Sequence, residues 1–156
     1  MKAAIEIRPA APQEVIDLRH AVLRAGLPRE TAIFSGDDDP ATRHFVATSA
    51  GEVVGCVTLL PSTVDGQPAW QLRGMAVTPR LQRGGVGAQL LAAVERFVAS
   101  EQAPRLLWCN ARVPASGFYQ RHGWTIVSDV FEIPSAGPHV RMVWNNSSPS
   151  TPGEAG

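Results

Sequence analysis

Three glycines within four positions, Gly84, Gly85 and Gly87, stand between a β-rich run ending at Val77 and the most strongly amphipathic stretch of the chain. Glycine lets a backbone bend and approach a ligand where side chains would forbid it. A helix that opens directly after such a turn presents unpaired N–H groups and the positive end of its dipole. The run Gln82-Arg83-Gly84-Gly85-Val86-Gly87-Ala88 therefore makes a seat for a pyrophosphate, with Arg80 and Arg83 as flanking phosphate partners. It is not a Walker A loop, which needs Gly-Lys-Ser/Thr, because no lysine stands here. Gly85-Val86-Gly87 could begin a dinucleotide fingerprint, but Leu90 occupies a position that pattern gives to Gly or Ala. The long lead-in from Thr78 to Arg83 does not suit that motif's tight turn either. On the glycines alone, a plain flexible turn before a helix fits as well.

The periodicity around this cluster predicts an ordered series of elements. Ile5–Arg8 alternates as a short strand. Pro12–Ala25 reads as a helix, with proline in its first turn and Gly26 past its end. Glu30–Thr42 reads as an acidic loop. His44–Thr48 and Val53–Leu60 read as a hairpin turning at Ala50-Gly51, and Ala69–Val77 as a third strand after Asp65-Gly66. Val86, Leu90, Leu91, Val94, Phe97 and Val98 form one helical stripe. Leu106–Cys109 reads as a covered strand, Pro114–His122 as a short helix closed by Gly123, then Ile126–Ile133 and His139–Trp144 as strands. The order is β-α-(loop)-β-β-β-α-β-α-β-β, an α/β fold with a mixed sheet. Residues 1–144 make one expected domain, and the Ser/Pro/Gly-rich run 145–156 an expected disordered tail.

Composition narrows the function classes. Lys+Arg and Asp+Glu are 14 each, so no global charge marks a nucleic-acid or anionic-membrane binder. Two cysteines, Cys56 and Cys109, cannot form a disulfide scaffold or a four-cysteine zinc site, and both lie in apolar runs as buried reduced thiols. No metal is expected. The N-terminus lacks a signal-peptide core, and no run approaches the roughly 18 apolar residues of a membrane helix. A cytoplasmic chain is expected. Lys2 is the only lysine against 13 arginines, a bias that suits a GC-rich bacterial source.

Gln-x-x-Gly-x-Gly, with Met75-Ala76-Val77 upstream and an amphipathic helix downstream, resembles the coenzyme A loop of the GNAT N-acetyltransferases. Ala115-Ser-Gly-Phe-Tyr119-Gln-Arg-His-Gly123-Trp124 resembles that superfamily's Ala-x-x-x-Tyr…Gly-aromatic segment. Leu72–Val77, Asn110-Ala-Arg112, Phe118-Tyr119 and Gly137–Met142 together look like a small bacterial GNAT group. The matching order covers about residues 5–144. The resemblance implies a GNAT acyltransferase fold, with a mixed, mostly antiparallel sheet of about seven strands flanked by helices.

It also implies roles. Acetyl-CoA would be the cosubstrate. The strands ending at Val77 and near Asn110 would part, with the pantetheine arm in the gap. Backbone groups of Met75, Ala76 and Val77 would hold that arm, with the Val77 amide aimed at the thioester oxygen. Gln82 opens the motif, and the amides of Arg83, Gly84, Gly85, Val86, Gly87 and Ala88 would hold the pyrophosphate. Tyr119, the only tyrosine, matches the general acid that protonates the departing thiolate. Its plainer alternative is a ring packed in the core. Many GNAT members place Asn seven residues before this tyrosine. Here that position is Arg112, and Asn110 lies two residues earlier, as a ligand of the pantetheine amides or of the acceptor.

The general base stays open among Glu132, His139, His44 and a water chain. A turn-capping His139 and a solvated Glu132 are the plainer alternatives. The transfer implied is a direct attack by a small amine in a ternary complex, without an acyl-Cys109. The alternatives are a non-catalytic acyl-CoA-binding module and a binder of another nucleotide. No nucleic acid or membrane partner is expected, and a homodimer stays open.

Helical geometry alone adds one residue. At about 100° per residue, Arg19 falls between Val15 and Leu23 inside the apolar stripe of the first helix. A buried guanidinium needs a partner or a wet cavity. Asp37–Asp39 or Glu132 could pair with it, or Arg19 with Arg24 could recognise an acceptor carboxylate or phosphate.

Overall fold

A computed structural model describes residues 4–101, 104–134 and 136–145. Eight strands and three α-helices form among them, in the order β1 (Ile5–Ala10), α1 (Gln13–Leu23), β2 (Arg43–Ser49), β3 (Glu52–Val64), β4 (Gln67–Val77), α2 (Val86–Ser100), β5 (Leu106–Arg112), α3 (Ser116–Arg121), β6 (Thr125–Ile126), β7 (Phe131–Ile133) and β8 (Gly137–Asn145). The sheet is mixed and mostly antiparallel, and the β5 ladder on β4 is its parallel pair. The contacts divide the chain into two compact units, Met1–Pro61 with Leu72–Phe97, and Ser62–Gln71 with Val98–Gly156.

The first unit holds the order β1-β2-β3-β4. Two tight hairpins set its register. Ala50 (φ 51°) and Gly51 (φ 83°) turn β2 into β3, and Asp65 (φ 50°) and Gly66 (φ 79°) turn β3 into β4. Positive φ at both central residues is the type I′ geometry, whose twist matches that of the flanking strands. Val15, Ile16, Ala32, Val46, Cys56 and Ala76 form a buried cluster under α1. The apolar stripe of α2 buries Val86, Leu90, Leu91 and Val94. Gly55 on β3 makes this packing possible: a Cβ there would lie 2.9 Å from Leu90 Cδ1 and 3.1 Å from Val86 Cγ1. The start of α2 is thus drawn against β3 where a side chain would hold it off.

The second unit is built around β8. It pairs β5 from Leu106↔Asn145 to Arg112↔His139, and also β6 and β7. The single strand expected over Ile126–Ile133 is two short strands instead. Between them the Ser128 hydroxyl accepts the Arg141 amide at 2.8 Å and itself donates to the Asp129 carbonyl, so side chain replaces ladder. The β5–β4 ladder covers Trp70↔Leu107 and Gln71↔Trp108, after which β4 runs on to Val77 and β5 to Arg112.

Smaller differences are local. α1 stops at Leu23, two residues before the expected end, and the expected loop contains a 3-10 turn at Arg29–Ala32. β3 runs past Pro61 to Val64. A 3-10 turn, Val113–Ala115, opens the short α3. The tail expected over 145–156 lies outside the described residues from 146 onward, and Asn145 ends β8. No described helix is long and apolar enough to cross a membrane.

Candidate active site

The end of β4 shows how its backbone is shared. The Cys56 thiol on β3 donates to the Gly74 carbonyl at 3.5 Å and lies in hydrogen-bond reach of the Ala76 amide. The Thr78 amide donates to the Val54 carbonyl of β3 at 2.8 Å. Polar groups of successive strand residues point to opposite edges. Gly74, Ala76 and Thr78 therefore face β3, while Met75 and Val77 turn their N–H and C=O to the other edge. Ala76, expected to hold the coenzyme, is corrected by this pleat: its amide is occupied toward Cys56, and its side chain is buried. Gly74, with φ 64° in mid-strand, marks the kink from which this edge departs.

Beyond Val77, a 3-10 turn at Pro79–Leu81 leads into the glycine run. Gln82 through Gly85 are exposed. Arg83 (φ 66°) and Gly85 (φ 95°) both take left-handed backbone, an uncommon geometry for arginine. The two reversals bring the chain into the first turn of α2, where Gln89 makes the first helical bond, to the Gly85 carbonyl at 3.0 Å. The amides of Val86, Gly87 and Ala88 precede that bond and lie at the helix's positive end. Gln82 does not reach outward: its Nε2 donates to the Val77 carbonyl at 2.9 Å, tying the loop to the end of β4. Arg80 is in an exposed ion pair with Glu52 at 3.1 Å, whereas Arg83 is exposed on the loop.

In the second unit, Tyr119 lies on α3 with its ring buried between Phe118 and Trp124, both at 5.1 Å between centroids. Its hydroxyl is hydrogen-bonded to the Cys109 thiol of β5. Burial, and then the Cys109 sulfur, push the phenol well above its ordinary range, so it carries its proton throughout neutral pH. Burial pushes Cys109 up to about 12, the Tyr119 bond opposing, which makes it a poor nucleophile. Both cysteines are free and buried. Asn110 is half-buried on β5, and its Oδ1 is buried with no hydrogen-bond partner among the described residues. Arg112, two residues on, is exposed.

His139 is buried at the start of β8. Its Nδ1 lies 2.8 Å from the Gly137 carbonyl. A carbonyl only accepts, so Nδ1 carries the hydrogen and Nε2 keeps the lone pair in the neutral ring. Glu132, opposite Pro138 on β7, is exposed. His44 is corrected as a base. Its Nε2 donates to the Asp37 carbonyl at 3.0 Å, and its Nδ1 accepts from the Thr58 hydroxyl at 2.8 Å, so neither nitrogen is available.

Arg19 is also corrected as an acceptor ligand. Its side chain is fully buried, and its fork grips Asp37 at 2.7 and 3.0 Å while donating to the Ala32 carbonyl and Thr58. Burial alone would raise the Asp37 carboxyl, but the bonds from Arg19 and the Phe34 amide outweigh it and hold it below its ordinary value. Arg24, at the end of α1, lies over the Phe34 ring at 5.1 Å and donates to the Leu23 carbonyl at 3.1 Å. Sequence reasoning missed three contributors: Gly55, Cys56 as a bracket on β4, and the Phe34 ring. Each acts through a partner distant in the chain, so no local pattern marks it.

Comparison with known proteins bears on this geometry. Residues 12–124 match the model of the acetyltransferase (GNAT) family. The uncharacterized N-acetyltransferase YitI of Bacillus subtilis is 26% identical over 141 residues, which cover 88% of this chain and 94% of YitI. Among solved structures, Escherichia coli ElaA superposes with a TM-score of 0.73 at 22% identity, over 88% of this chain and 98% of ElaA. An aminoglycoside 6'-N-acetyltransferase complexed with coenzyme A superposes with a TM-score of 0.71 at 15% identity, over 90% and 96% of the two chains. Those likenesses fix the fold, and the family match runs from α1 through the glycine turn to Trp124. The chain belongs to the GNAT acetyltransferase family and is an acyltransferase of the N-acetyltransferase kind.

Proposed function

We propose that this chain moves an acetyl group from acetyl-CoA to the primary amine of a small acceptor by direct attack in a ternary complex. The observation that carries the reading is the pleat at the end of β4, where Met75 and Val77 turn their polar backbone away from β3. The residues fit the coenzyme. The first-turn amides of α2 and the Arg83–Gly85 turn suit a diphosphate. The Asn110 Oδ1, without a hydrogen-bond partner among the described residues, suits an amide N–H of the pantetheine arm. The neighbour solved with coenzyme A supports the same ligand.

Acetyl-CoA supplies an activated thioester carbonyl when bound. The Val77 amide donates to that oxygen as negative charge develops on it. Gln82 holds the Val77 carbonyl and so fixes the peptide unit that follows the one carrying this amide. His139 takes the ammonium proton of the acceptor at Nε2, and Glu132 stands exposed on the neighbouring strand, opposite Pro138. Tyr119 donates its phenolic proton to the sulfur as the bond to the acetyl carbon breaks, and the second proton, shed by the nitrogen as the amide forms, restores the phenol.

Titration calorimetry with acetyl-CoA, followed by thiol release against a panel of amines, tests the reading. Tight binding and amine-dependent thiol release are expected. Tyr119→Phe should lower kcat by about 100-fold or more while coenzyme affinity persists. No binding at millimolar acetyl-CoA sinks the proposal.

A further inference from the structure

Phe34, in the loop after α1, has three guanidinium groups around one ring: Arg19 at 4.0 Å, Arg73 at 4.9 Å and Arg24 at 5.1 Å from its centroid. Arg19 is spent internally, because both arms of its fork lie on Asp37. That pair also fixes the ring, since the Phe34 amide donates to Asp37 Oδ2 at 2.8 Å. Arg73 is placed differently. It is half-buried on β4, and no carboxylate lies within ion-pair distance of it among the described residues. Its hydrogen bond is a long one, 3.5 Å to the Ser35 carbonyl. Burial, and then the Arg19 charge, push Arg73 below its ordinary value, with Arg24 adding to the effect. Asp37, already gripped by Arg19, opposes only in part.

Holding a partly desolvated cation beside like charges costs free energy unless an anion completes the group. A guanidinium stacked on an aromatic face keeps its N–H fork oriented, which suits bidentate recognition of a planar carboxylate. Arg73 also stands on the strand that supplies Met75 and Val77. It stands four positions before Val77, at most roughly 13 Å along the strand.

We propose that Arg73, stacked on Phe34, binds a carboxylate of the acceptor, so that the substrate is an amine of amino-acid type rather than a polyamine. The proposal rests on the transferase reading above. Arg24 supports it with a second positive charge over the same ring. The buried Arg19–Asp37 pair acts as a positioning element for Phe34.

The test uses the full chain and a panel of α-amino acids, each paired with its own carboxamide. Calorimetric titration without coenzyme and steady-state thiol release with acetyl-CoA are both run. At least one acid should bind and react better than its amide, by about 10- to 100-fold, through KM rather than kcat. Arg73→Gln should erase that preference, and Arg73→Lys should keep part of it, because a lysine supplies charge without the fork. Coenzyme titration shows whether each variant is folded, and Arg73→Lys carries the test if Arg73→Gln is not. Acids and amides behaving alike, including both failing to bind, overturns the proposal, as does a preference that survives Arg73→Gln. Failure of acetyl-CoA to bind the wild type overturns the transferase reading instead, and the direct titration still decides for or against Arg73.

Discussion

The side-chain amide of Gln82 donates to the Val77 carbonyl at 2.9 Å, joining the mouth of the glycine turn to the last residue of β4. The peptide held by this bond borders the amide assigned to the thioester oxygen. A typical hydrogen bond contributes about 1 kcal/mol, or roughly fivefold. Gln82→Ala should therefore lower kcat/KM for acetyl-CoA about 3- to 10-fold. Gln82→Glu, which cannot donate, should do no better. Steady-state kinetics at saturating amine check this, and an unaltered kcat/KM in both variants would contradict it.

The Arg19–Asp37 pair predicts a steep stability cost. Arg19→Met leaves a buried carboxylate without its partner and should destabilise by about 3–5 kcal/mol. Adding Asp37→Leu removes the orphaned charge, so the double variant should recover part of the loss. Urea denaturation midpoints compare the three proteins. An Arg19→Met midpoint equal to wild type would mean that the pair is not buried as described.

Gly55 predicts a coupling between packing and coenzyme. A methyl at this position lies 2.9 Å from Leu90 Cδ1 and 3.1 Å from Val86 Cγ1. Overpacking of this kind costs about 1–3 kcal/mol. Val86 opens α2, so Gly55→Ala should also weaken acetyl-CoA binding, by several-fold on the energy scale of small backbone shifts. Calorimetry at a temperature where the variant is folded separates the two effects.

The buried thiols predict alkaline sensitivity. Burial pushes both Cys56 and Cys109 up to about 12, while unfolded cysteine loses its proton near pH 8.5. Between those limits the unfolded chain binds fewer protons than the folded one, so stability falls as pH rises. Below about pH 8 this contribution is fully present. Tyr119 shifts in the same direction and adds to the loss from about pH 10 upward. The urea midpoint should decline from pH 8 to 11, and less so in Cys56→Ala, where one of the thiols is gone. A midpoint that stays level over that range would contradict the burial.

Much of the architecture is legible in local pattern. The stripe Val86–Val98 and the glycines before it announce α2 and the exposed turn that leads into it, because both signals lie within one short segment. Asp65-Gly66 and Ala50-Gly51 mark hairpins, since few residues accept two successive positive φ values. Ile126–Ile133 misleads for the opposite reason. Its apolar residues suit one strand, but the pairing of Arg141 with Ser128 divides it, and that contact spans 13 positions. The position of Arg19 in its stripe shows that it must be buried and paired. It does not single out Asp37 among three adjacent aspartates.

The sequence by itself determined most of the element order, the glycine turn ahead of α2, the lone tyrosine and the need of Arg19 for a partner, because each follows from residue type and short-range spacing. Only the tertiary structure decided which edge of β4 the backbone groups of Met75 and Val77 face, that Ala76 and His44 are engaged elsewhere, and that Arg73 stands over Phe34 without a counter-ion among the described residues. Those outcomes depend on which distant groups satisfy each donor, acceptor and charge, and long-range pairing of that kind leaves no period in the chain.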